Sequence, residues 1–313
     1  MGELGFGRSF GTLQEARTSH VVHLVERGVR AINTIGNVPY VAHILRFLPS
    51  PIAAFEAWLT TALDWRLHKD RKKDDGLVPT DVFAYLLGEE GKQRRKLNRK
   101  ELQQDCMLMV VAGSDTTSNA MTFCLFEMAH QPALLERVRR EVEALLPDGG
   151  AELSESSFEA LRDEAPLLNA CIFEALRLWP PVPSGLQRTT TTDGMVLPGG
   201  MVVPHGTVVS THTWTMHRDA RNFYQPERFA PERWLSPTGA HNAKAWSPFG
   251  FGATSCIGKQ LAYMEMRLVL ALFVLRFDIA VAPAAAQAFR ASVRDQFVIA
   301  AGALQVSLQR RRA

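Results

Sequence analysis

The stretch that most constrains the fold runs from Asn98 to about His130. Asn98 suits a helix N-cap, because its side-chain oxygen can accept an unpaired amide hydrogen of the first turn. A helix of thirty-odd residues spans roughly 45–50 Å, enough to cross a whole domain. Met107, Leu108, Met109, Val110, Val111, Met121, Phe123, Leu125 and Phe126 make it apolar on most sides. A helix of that kind is expected to be central and buried.

The rest of the chain reads as follows. Residues 13–33 predict a helix carrying Val21, Val22, Leu24, Val25 and Val29. Gly36, Pro39, Pro49 and Pro51 make 34–51 mostly loop or short helix. Ser50-Pro51 then opens a helix with Phe55, Trp58, Leu59, Leu63 and Trp65, and a short helix covers 80–88. The charged stretches at 66–75 and 92–100 are expected to be solvated loops. Further helices are predicted from Pro132 to Leu146, over 154–164 and over 166–178. Thr and Val then dominate 186–215, with Pro198-Gly199-Gly200 as a hairpin turn between short strands. Residues 219–248 show little periodicity, and a long irregular stretch in a compact domain usually supports a ligand or a function. An apolar helix at 259–277 and two or three short strands complete the chain. The expected fold class is therefore mainly α with a small β portion (α+β).

Composition sets limits on function. A net charge of +3 from 35 basic and 32 acidic residues gives no case for a nucleic-acid partner. Cys106, Cys124, Cys171 and Cys256 show no paired spacing, so neither a disulfide framework nor a zinc site is indicated. The N-terminus lacks a signal-peptide pattern, and no run of about 18 uncharged apolar residues reads as a membrane span. The apolar stretch 44–59 could touch a membrane or pack into a core.

Three constellations carry chemistry. The first sits inside the long helix: Ala112, Gly113, Ser114, Asp115, Thr116 and Thr117. Gly, Ser, Asp and Thr all disfavour a helix interior, and such local violations mark functional or strained sites. The Thr116 hydroxyl can bond the Ala112 carbonyl and loosen the helix, leaving freed carbonyls and the Asp115 carboxylate to hold water and relay protons. A kink around a satisfied Asp is the competing reading. In the second, Glu174 and Arg177 lie three residues apart on one helix face. Arg233, in Pro231-Glu232-Arg233-Trp234, could bring a second guanidinium to Glu174 and lock the irregular stretch onto the helix. A solvated surface pair is the alternative.

The third is the loop holding Phe249, Gly252, Cys256 and Gly258. Its glycines allow sharp turns and close approach to a flat ligand. Cys256 falls where a helix begins, and a sulfur anion in an N–H-rich loop is a soft ligand suited to haem iron. A Gly-rich turn with Cys256 as a small buried hydrophobe is the bland alternative.

In order and spacing, Ala112–Thr117, Glu174–Arg177, Pro231–Trp234 and Phe249–Gly258 resemble the signatures of cytochrome P-450 haem-thiolate monooxygenases. The wording from Leu178 to Arg188 and at His217-Arg218-Asp219 is similar to fungal microsomal members. The resemblance covers essentially the whole chain. It implies a single incomplete domain over 1–313, running from about the family's E helix onward. Residues 1–130 would be a helical region ending in the long I-like helix; 131–313 would hold the J and K helices, small sheet, meander, ligand loop and L-like helix.

It further implies haem b (iron protoporphyrin IX) bound through the Cys256 thiolate, with Phe249 packed beside it and Gly252 and Gly258 shaping the loop. Asp115 and Thr116 would be the acid–alcohol pair that delivers protons. Glu174, Arg177 and Arg233 would be the structural triad, and Arg188 would face a haem propionate. Residues 182–186, 108–116 and Phe297 with its neighbours would border a small, hydrophobic organic substrate. Electrons would come from an NADPH-dependent reductase and oxygen from O2, at the endoplasmic reticulum membrane for a full-length relative.

Two departures from the family pattern stand out. Thr254 occupies the position, two residues before the cysteine, where Arg or His is usual; a threonine can hydrogen-bond a propionate but supplies no charge. Everything before the E helix is absent, which predicts an N-terminally truncated chain. The alternatives to a working monooxygenase are an inactive remnant with weak or no haem binding, and a haem-thiolate dehydratase or peroxide-driven isomerase. Retention of Asp115 and Thr116 argues against the last, since oxygen activation needs a proton relay.

Overall fold

The computed structural model describes residues 2–7, 52–68, 81–87, 97–146, 148–151, 153–236 and 241–311, with isolated positions at 9, 11, 23, 24 and 28. The helix expected at 13–33 and the loop at 34–51 lie outside the described residues, apart from His23, Leu24 and Gly28, which are helical. Most of the charged stretches at 66–75 and 92–100 also lie outside them. The chain divides into two compact units, Met1–Asp115 and Thr116–Ala313.

In the first unit, helix α1 (Gly2–Phe6), α2 (Ala53–His68) and α3 (Val82–Leu86) accompany the opening turns of α4 (Arg99–Ala129). Phe55, Leu59 and Leu63 repeat at four-residue spacing on α2 and are all buried, as one face of a helix should be. Phe6 stacks on Phe83 with ring centroids 5.2 Å apart. Asp81 caps α3 through the Ala84 amide at 2.7 Å and also accepts from buried Arg66 at 3.0 Å. At the start of α4, the Asn98 side chain accepts from the Glu101 amide and Glu101 accepts from the Asn98 amide, at 3.0 and 2.8 Å. That reciprocal box satisfies two amides the helix cannot bond internally.

The second unit holds the larger core. It is built from the end of α4, α5 (Pro132–Leu145), α6 (Glu155–Asp163), α7 (Pro166–Leu178) and α10 (Lys259–Arg276). Between α7 and α10 lie β1 (Arg188–Thr189), β2 (Met195–Val196), β3 (Val202–Val203), β4 (Val208–Val209), α8 (Thr213–His217) and α9 (Glu232–Leu235). Beyond α10 come β5 (Phe277–Ala280), α11 (Pro283–Ser292), β6 (Arg294–Gln296), β7 (Val298–Ala300) and β8 (Ser307–Arg310). The strands pair antiparallel in twos, β1 with β4, β2 with β3, β5 with β8 and β6 with β7.

Three expectations need correction. Burial of the long helix is nearly continuous only over Ala120–Ala129; upstream it is one-sided, with Leu102, Cys106 and Val110 buried but Leu108 65% exposed and Gly113–Thr116 half-buried. The helix buried on nearly every side is α7 instead. The tail is also richer than two or three strands: it has four, plus α11, whose Pro283 at the first turn and run of alanines are ordinary helix-start signals. Finally, α8 and α9 interrupt segments that lack a helical period, because four or five residues are too few to show one.

Candidate functional site

Glu174 lies fully buried on α7, one helical turn before Arg177. Arg177 donates Nε–H and Nη2–H to the two carboxylate oxygens, each at 2.9 Å, in the parallel fork that planar guanidinium favours. Arg233, on α9, approaches from another side, its Nε 3.0 and 3.1 Å from the same two oxygens. The Ala230 amide and the Trp234 indole N–H complete the set at 2.9 Å each. A buried carboxylate with all its lone pairs occupied is geometrically specific, since any displacement leaves charge without partners.

The same two arginines also hold backbone that belongs to no ladder. Arg177 donates to the carbonyls of His217, Pro226 and Arg228 at 2.7, 2.6 and 3.1 Å. Arg233 donates to the Tyr224 carbonyl at 2.8 Å. Residues 217–234 thus take from two side chains the order that strands would take from pairing.

His217 extends this lock to the cysteine loop. Fully buried, it places Nδ1 3.1 Å from the Arg177 carbonyl and Nε2 3.0 Å from the Ser247 amide, which donates to it. Those contacts require the neutral ring with its proton on Nδ1. Burial pushes the imidazole down from its usual value to about 4.

Ser247 opens the loop that carries Cys256. The Cys256 amide donates to the Phe249 carbonyl at 2.9 Å, closing the loop on itself. Gly250 and Gly252 sit at φ of 68° and 72°, the left-handed region that glycine tolerates best. A Cβ at either position would meet nothing within 4 Å, so conformation rather than crowding calls for glycine there. Gly258, at φ −81°, caps α10, and a Cβ there would touch the Cys256 sulfur at 3.9 Å. Phe249 packs on Tyr263 of α10, ring centroids 5.0 Å apart, while Phe251, Cys256 and Ile257 are exposed. The loop therefore exposes the Cys256 sulfur together with backbone free of side chains at 250 and 252, braced by the Phe249–Tyr263 pair. Thr254 ends a short 3-10 turn in this loop and accepts from Arg188 Nη2 at 2.7 Å.

Asp115 and Thr116 are consecutive on α4 and half-buried. α4 is helical without interruption through 112–117, so those residues do not break the helix. Phe297 sits at φ 71° in the β6–β7 turn, with its amide donating to Asp295 at 3.0 Å. Ser184 donates to the other oxygen of Asp295, and the Ile299 amide donates to the Pro181 carbonyl at 2.8 Å. The segments 181–186 and 295–299 are thereby tied together, and Asn119 of α4 donates to the Ile299 carbonyl at 2.8 Å.

A family model described as cytochrome P450 matches residues 1–306. The chain belongs to the cytochrome P-450 family. A cytochrome P-450 monooxygenase of Eupenicillium brefeldianum is 33% identical across 99% of this chain and 62% of its own length. A tryprostatin B 6-hydroxylase of Aspergillus fumigatus is 31% identical across 89% of this chain and 49% of its own length. The chain thus spans 62% and 49% of the length of these two curated relatives. A crystal structure of a cytochrome P-450, 23% identical, superposes with a TM-score of 0.78 over 99% of this chain and 65% of that one, and shows the α+β fold.

Two groups in this cytochrome P-450 went without a role in the sequence. His217 stood in a conspicuous His-Arg-Asp string, but nothing local indicated that its ring joins α7 to Ser247. Glu127, on α4, is buried and accepts from the Trp179 indole at 3.0 Å and from Arg290 at 3.2 Å. Burial raises its carboxyl above the ordinary glutamate range despite Arg290. One of those partners, Arg290, comes from α11, a helix the sequence did not reveal, so the full cluster could not be foreseen.

Proposed function

We propose that this chain forms the haem-thiolate part of a monooxygenase that inserts one oxygen atom of O2 into a small, hydrophobic organic molecule. The observation that carries this reading is the exposed Cys256 sulfur on a glycine-shaped loop, held through Ser247, His217 and Arg177 by the Glu174 lock. The donor set fits haem b: one soft sulfur, an outer loop face free of side-chain bulk at 250 and 252, and a cation at Arg188 for a carboxylate. Among the described residues no three His, Cys, Asp or Glu side chains converge into a metal site.

When bound, haem supplies the reduction and cleavage of dioxygen, which thiolate ligation assists. The chain's own tasks are narrower. Cys256 Sγ holds the iron, and the Phe249–Tyr263 pair keeps the loop from folding away. Asp115 takes a proton at its carboxylate and passes it on through Thr116 Oγ1, one residue along α4. Phe297 and residues 182–186 border the substrate, held in register by Asp295. Electrons come from an NADPH-dependent reductase. Among the described residues no helix is long and apolar enough to cross a membrane, and the endoplasmic reticulum membrane is the location proposed for a full-length relative. Part of a single family domain is our reading of 1–313.

The test is spectroscopic. Reduced protein with carbon monoxide is expected to show the red-shifted Soret band of thiolate ligation, and Cys256→Ala to remove it. A chain that takes up haem with no such band, or takes up none, overturns the proposal and favours the inactive alternative.

A further inference from the structure

We propose that Thr254 is a positioning residue, which holds Arg188 beside the cysteine loop so that the two form a clamp for a carboxylate of the bound porphyrin. The proposal rests on the haem-thiolate reading of Cys256.

Arg188 lies on β1, a two-residue strand fixed by pairing with Val209 of β4, and Thr254 ends the 3-10 turn two residues before Cys256. Nothing in the chain's local structure brings them together; they are 66 residues apart and meet through the 2.7 Å bond from Nη2 to Oγ1. A second bond, from Nη1 to the Gln187 carbonyl at 2.9 Å, fixes the plane of the guanidinium. No carboxylate pairs with Arg188 among the described residues, although exposed arginines elsewhere in the chain, such as Arg137, Arg162 and Arg221, do pair with one. An arginine oriented by a neutral hydroxyl keeps its whole charge for an incoming anion.

The chemistry on the Thr254 side is complementary. Its oxygen accepts from Arg188, which leaves its own O–H free to donate in turn. Arg188 has five N–H donors and uses two in the bonds above. A carboxylate placed against the pair can therefore accept from both the guanidinium and the hydroxyl. Both residues are exposed on the loop that carries Cys256 and on the strand beside it. The positive charge of the pair thus comes from β1, and the threonine decides where it sits.

The experiment compares porphyrin uptake by wild type, Thr254→Val, Thr254→Ser, Arg188→Gln and the Arg188→Gln/Thr254→Val double variant. Each is titrated with haem and with haem dimethyl ester, whose carboxylates are capped, following the Soret band and tryptophan quenching. Thr254→Val is expected to weaken haem binding about tenfold, the range for a hydrogen bond to a charged group, and to leave dimethyl-ester binding unchanged. Thr254→Ser should retain wild-type affinity, and Thr254→Val should add nothing once Arg188 is Gln. Equal affinity of wild type and Thr254→Val for haem, or an equal loss for both porphyrins, overturns the clamp. Cys256→Ala separates the two proposals: a wild-type thiolate band lost in that variant, with Thr254→Val unaltered, refutes the clamp alone.

Discussion

The Glu174 lock allows a perturbation whose size follows from its geometry. Glu174→Ala removes the acceptor of five N–H groups, Arg177 Nε and Nη2, Arg233 Nε, the Ala230 amide and the Trp234 indole. It also leaves two buried guanidinium groups facing each other without a counter-charge. Removing one partner of a buried ion pair costs about 3–5 kcal/mol. A domain's whole stability is about 5–15 kcal/mol, so the loss is a large share. Glu174→Gln keeps the shape but offers one acceptor oxygen and an NH2 that faces other donors, so it should fall between wild type and Glu174→Ala. The control is the Arg137–Glu232 pair, which has the same 2.9 Å distance but side chains 53% and 56% exposed. Solvent screens it, and Arg137→Ala should cost under about 1 kcal/mol. Urea unfolding followed by tryptophan fluorescence and circular dichroism measures all three variants. Should Glu174→Gln lose no more than Arg137→Ala, burial is not what gives the lock its strength and the argument fails.

Three further outcomes are expected. Because the folded imidazole of His217 lies at about 4 against about 6.5 when unfolded, its contribution is present above pH 6.5 and is lost as pH falls from there toward 4. Wild type should therefore lose up to ~3 kcal/mol across that window, and His217→Gln should flatten the slope; an unchanged slope in urea midpoints between pH 4 and 7 refutes this. Glycine substitutions should separate crowding from conformation: at Gly185, φ 71°, a Cβ would stand 2.0 Å from the Thr211 carbonyl oxygen, whereas Gly250 has open space. Gly250→Ala should cost roughly 1–2 kcal/mol of backbone strain and Gly185→Ala clearly more, and equal thermal midpoints would contradict the geometry. For Glu127, whose carboxyl is raised by burial, the protonated form is the better buried one, so its contribution is lost as pH rises through the folded value. Glu127→Gln should then gain on wild type as pH is raised from 4.5 to 8, and a stability gap that does not change with pH would sink this assignment.

The chain's own sequence determined most of the helices, because helical periodicity, proline at a first turn and caps such as Asn98 are local properties. It also determined the reactive types: a cysteine framed by glycines, a Glu and Arg three residues apart, an Asp-Thr pair inside a helix. Tertiary structure decided what those residues do to one another. Whether Glu174 is a solvated surface carboxylate or a buried one with five donors depends on α9 and the chain around residue 225 closing over it. The centre of burial moved from the long helix to α7 for the same reason, since exposure is set by the neighbours that cover a face and not by the face itself. His217 and Thr254 acquired partners 30 and 66 residues distant. No periodicity or spacing encodes such contacts; only the packing of distant elements brings their donors and acceptors within 3 Å.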